Sequence, residues 1–115
     1  MRRIVFIWTF PFRLGVSWEQ IGMGKKVRSY CEELNQYFED TKAEWRIELD
    51  TTLGELEKLD EEDYDIWVFW TGNQKRYWVY NEILKKREKS TYCLSMTELY
   101  NGDIRKFLRW LKENE

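Results

Sequence analysis

The chain has 115 residues, 43% apolar and 35% charged, with a formal net charge of −2. This profile points to a single globular domain with its own core, and it excludes a strongly cationic surface built for nucleic acid. No apolar run approaches the ~18–20 residues of a membrane span, and the start Arg2-Arg3-Ile4 to Trp8 is too short for a signal peptide. We therefore expect a cytoplasmic protein without membrane insertion.

Two cysteines and no histidine leave no zinc set and remove the commonest general base. Cys31 and Cys93 read as small core hydrophobes, a disulfide being disfavoured in a reducing compartment. No cofactor is expected.

Along the chain, Arg3 to Thr9 reads as a first strand whose apolar run, Ile4 to Trp8, does not alternate, as expected where both faces are covered. Phe10 to Val16 is a loop marked by Pro11 and Gly15. Ser17 and Gln20 have capping-box spacing for a helix over 18–38, with Ile21, Gly24, Val27, Cys31, Leu34 and Phe38 as its buried stripe. Trp45, Ile47 and Leu49 alternate with Arg46, Glu48 and Asp50, which predicts an edge strand. Thr51 to Leu59 is a weak helical piece, followed by a polar turn at Asp60 to Asp63. Ile66 to Trp70 is a second continuous apolar strand, and the turn Thr71-Gly72-Asn73-Gln74 follows. The next helix turns Tyr77, Tyr80, Ile83 and Leu84 inward. Tyr92, Leu94 and Met96 suggest another edge strand, Thr97 to Asp103 a connection, and Ile104, Phe107, Leu108 and Leu111 a final helix.

The alternation of strands and helices predicts a three-layer α/β/α sandwich around a four-stranded parallel sheet, Rossmann- or flavodoxin-like. The continuous strands belong in the middle and the alternating ones outside, giving the order second, first, third, fourth. Ligands of such sheets bind beyond the carboxyl ends where the order reverses, here between the first and third strands. The polar groups of that crevice would be Thr9, Arg13, Gly15, Ser17, Thr71, Gly72, Asn73 and Gln74, at helix starts whose amides favour anions. Simple helix capping by Ser17 and by Asn73 or Gln74 is the competing reading.

Several segments carry a family resemblance. Leu53-Gly54-Glu55-Leu56-Glu57-Lys58-Leu59 before Asp65-Ile66-Trp67-Val68, Gly72-Asn73-Gln74-Lys75-Arg76-Tyr77 with Glu82-Ile83, Tyr100-Asn101-Gly102-Asp103 and Gly15-Val16-Ser17 together resemble the IIB components of the lactose/cellobiose class of the sugar phosphotransferase system. The resemblance implies a phosphocarrier in which a cysteine after the first strand takes phosphate from a IIA partner. That stretch here reads Trp8-Thr9-Phe10-Pro11-Phe12, with no cysteine, and a hydroxyl at Thr9 or Ser17 is hardly ionised at neutral pH. Phosphorelay by the family mechanism is therefore not expected, while the fold would persist.

The leading expectation is a non-catalytic regulatory or protein-interaction module with a vestigial anion-binding crevice. Phe10, Pro11, Phe12 and Arg76 would be its partner-binding residues, unless the two rings fold inward over the sheet end. A genuine phosphocarrier-related component, and a small nucleoside deoxyribosyltransferase-like enzyme using Glu82, stand as alternatives. The basic runs Lys85, Lys86, Arg87, Lys89 and Arg105, Lys106, Arg109, Lys112 read as solvated helix faces rather than a nucleic-acid surface. The partner's identity and the oligomeric state are not legible.

Overall fold

The computed structural model of the chain describes residues 2–7, 18–50, 56–70 and 81–114, with side chains for 2–7, 25–50, 57–70 and 81–114. Four strands, β1 (Arg2–Phe6), β2 (Trp45–Leu49), β3 (Ile66–Trp70) and β4 (Ser90–Leu94), form one sheet in the order β2-β1-β3-β4. Every pairing is parallel. The helices are α1 (Trp18–Asp40), α2 (Leu56–Glu61), α3 over the described residues 81–86, α4 (Met96–Asn101) and α5 (Arg105–Glu113).

The central strands are continuously apolar because each feeds two cores. Ile4 and Phe6 of β1 and Ile66, Val68 and Trp70 of β3 point to one face, where α1, α4 and α5 supply Val27, Tyr30, Cys31, Leu34, Phe38, Leu99, Phe107 and Leu111. Val5, Ile7, Trp67 and Phe69 point to the other, against Leu59 of α2, Tyr64 and Leu84 of α3. Period-two alternation therefore carries apolar residues to both sides, and all of β3 is buried. Burying each large side chain contributes about 1.5–3 kcal/mol before entropy is counted.

Three stretches differ from the sequence reading. Met96 is not the last inward residue of a strand: it opens α4 and is exposed. The segment 97–103 is not a plain connection, because α4 occupies its first part. Ser95 N-caps α4 through a full capping box with Glu98, and Gly102 ends it in the left-handed conformation at φ 61°. Asp60 and Glu61 belong to α2 rather than to a turn, which begins only at Glu62. Leu59 is held under the sheet, so the helix continues past its last apolar anchor.

Candidate functional site

The order of the strands reverses between β1 and β3, the position at which ligands of such sheets bind. The chain leaves β1, crosses by α1 on one face to β2, then returns by α2 on the opposite face to β3. The strands β1 and β3 lie side by side, and the helices described after them pack on opposite faces, α1 with Ile4 and Phe6 and Leu84 of α3 with Val5 and Trp67. The strand ends at this point are tied together. Ile7 N–H donates to the Val68 carbonyl at 2.8 Å, and Asp50 N–H, just past β2, donates to the Phe6 carbonyl at 2.9 Å. The expected crevice residues Thr9, Arg13, Gly15, Ser17, Thr71, Gly72, Asn73 and Gln74 lie outside the described residues, as do Phe10, Pro11, Phe12 and Arg76. What is described is the frame that carries those segments: adjacent β1 and β3 in the register Ile4↔Ile66, Val5↔Trp67, Phe6↔Val68.

Beside that frame, at the carboxyl end of β4, sits a buried polar cluster that sequence reasoning missed. The Tyr92 hydroxyl donates to Glu98 Oε2 at 2.8 Å, and the Ser95 hydroxyl donates to Glu98 Oε1 at 3.0 Å. The Glu98 amide in turn donates to the Ser95 hydroxyl oxygen at 3.1 Å. Lys106 of α5 lies 3.8 Å from the same carboxylate. Tyr30 of α1 is buried nearby, and its hydroxyl has no hydrogen-bond partner among the described residues. Burial, then the Glu98 charge, raise the Tyr30 phenol above its ordinary value. Burial and the hydrogen bond to Glu98 do the same for Tyr92. The sequence signal was Ser95-x-x-Glu98, a capping box inside what read as a connection. With its oxygens engaged by donors from β4, the α4 cap and α5, Glu98 serves as a clamp between these elements.

The remaining candidates separate clearly. Cys31 is buried in α1, where burial pushes its thiol up to about 12, and the half-buried Cys93 thiol of β4 is also raised by burial. Neither favours thiolate chemistry. Glu82 is exposed on α3. Four of the basic residues have acidic partners: Arg87 with Asp60, Lys89 with Asp63, Arg105 with Asp103 and Lys106 with Glu98. Among the described residues no cluster of His, Cys, Asp or Glu could hold a metal ion, and no helix is long and apolar enough to cross a membrane. A polar cleft of about 520 Å³ on the α2 side includes Arg3, Glu48 and Glu62. These three charges are spent on one another, Arg3 pairing with Glu48 at 2.8 Å and Glu62 at 3.1 Å.

Comparison with family models, with curated proteins and with solved structures gives no match to this chain.

Proposed function

We propose that the chain is a divergent phosphotransferase IIB-like domain that works by binding a protein partner and not by carrying phosphate. The parallel sheet with helices on both faces supports the scaffold half of this reading. The observation that carries the other half is the state of the thiols. The only two in the chain are Cys31, buried within α1 with its thiol pushed up to about 12, and Cys93 within β4, also raised. A phosphocysteine must attack as thiolate from an anion-stabilising loop, and neither thiol meets that requirement. In this reading the crevice between β1 and β3 retains an anion site from Thr9, Arg13, Gly15, Ser17, Thr71, Gly72, Asn73 and Gln74. Phe10, Pro11, Phe12 and Arg76 contact the partner, and the protein is cytoplasmic.

The test is phosphate transfer from a radiolabelled IIA-type donor to the full chain. No label is expected on the wild type. A labelled chain would overturn the reading, and loss of that label in Cys31→Ser or Cys93→Ser would identify the acceptor.

A further inference from the structure

At the amino end of the sheet, opposite the carboxyl ends of β1 and β3, a groove of about 450 Å³ runs between the C-terminal halves of α1 and α5. Pockets of this size receive a small ligand or a few side chains. Phe38, Trp45 and Leu111 contribute the edges of buried side chains to it, and Tyr37 stands beside them 43% exposed. Among the described residues its charged lining is cationic only, Arg109 and Lys112, three apart on α5 and so on one face of the helix. The basic residues Arg87, Lys89, Arg105 and Lys106 each have a carboxylate within 4 Å, but among the described residues Arg109 and Lys112 form no ion pair. A third cation is close, since the Arg2 guanidinium stacks 4.1 Å above the Trp45 ring. An apolar slot lined by unspent positive charge complements an acidic, apolar-anchored segment.

We propose that this groove docks a short acidic segment of a partner protein. One aliphatic or aromatic side chain enters between α1 and α5, and flanking carboxylates pair with Arg109 and Lys112. The site is separate from the crevice, so the phosphotransfer result neither supports nor removes it.

The test selects phage-displayed peptides on the immobilised full chain and titrates synthetic versions of the enriched sequences by fluorescence anisotropy. Enriched sequences should place an apolar residue between Asp or Glu residues and bind more weakly as salt rises. Arg109→Glu/Lys112→Glu and Tyr37→Ala should each weaken binding about tenfold or more. All three positions are exposed, and melting curves matching the wild type would show that the variants fold. The proposal is overturned by failure to enrich any sequence, by enrichment of basic sequences, or by affinities that neither variant changes. A dimer in sedimentation that Tyr37→Ala dissociates would also overturn it, because the occupant would then be a second copy.

Discussion

Two buried tyrosines of the same core should respond oppositely to the same substitution. Tyr92 donates to Glu98, so Tyr92→Phe removes a donor from a buried carboxylate and should cost about 1–3 kcal/mol. The Tyr30 hydroxyl is buried with no partner among the described residues. Tyr30→Phe keeps the edge-on contact with Phe6, whose ring centroid lies 6.2 Å away, while removing only a desolvated hydroxyl. It should leave stability unchanged or raise it. Urea unfolding of the two variants provides the comparison, and similar losses in both would contradict the assigned roles. Composition could not separate these residues, because the partner of Tyr92 comes from α4 while Tyr30 approaches from α1. The Ser95-x-x-Glu98 spacing was visible, but it was masked by the inward alternation of Tyr92 and Leu94, which made Met96 look like the next strand residue.

At the scale of elements, the outer edge of β2, which has no strand beside it among the described residues, needs protection, because an unpaired strand edge invites intermolecular pairing. Asn35 of α1 provides it. Its side-chain amide donates to the Ile47 carbonyl at 3.0 Å, and its side-chain carbonyl accepts from Ile47 N–H at 2.9 Å. One side chain thus imitates the missing neighbour strand at mid-edge. Asn35→Ala should lose about 1–3 kcal/mol in chemical denaturation and increase light scattering on incubation. The neighbouring Gln36→Ala, which removes only an exposed bond to Asp40, should stay within about 0.5 kcal/mol. The position of β2 at the edge was legible from the alternation of Trp45, Ile47 and Leu49. The role of Asn35 was not, since an asparagine beside an apolar stripe reads as solvated until the strand under it is located.

For the molecule as a whole, the buried and half-buried tyrosines and cysteines set an alkaline limit. Tyr30, Tyr64 and Tyr92 are raised from an ordinary value of 10.0, and Cys31 and Cys93 from 9.0. Below those ordinary values the groups are protonated in both states, and their contribution is fully present. Above them the unfolded chain releases protons that the folded chain still holds, so stability falls as pH rises toward the folded values. For Tyr30 and Cys31 the slope should approach about 1.4 kcal/mol per pH unit each, and Tyr92 acts in the same direction. Urea midpoints taken across the alkaline range should drop steadily. A flat profile would mean that these groups are accessible to water.

The chain by itself determined the architecture, because a strand buried on both faces must be apolar at every position and an edge strand need not be. From that rule the runs Ile4 to Trp8 and Ile66 to Trp70 belong in the centre, and the alternating strands at Trp45 to Leu49 and Tyr92 to Met96 outside; the order β2-β1-β3-β4 is the one observed, with Trp8 outside the described residues and Met96 in α4. Only the tertiary structure decided which polar groups act together. Glu98 with Tyr92 and Lys106, Asn35 with Ile47, and Arg109 and Lys112 beside Trp45 are brought into proximity by the packing of separate elements. Hydrogen bonds and ion pairs depend on distances of a few ångström between such elements, and the spacing of residues along one chain does not contain those distances.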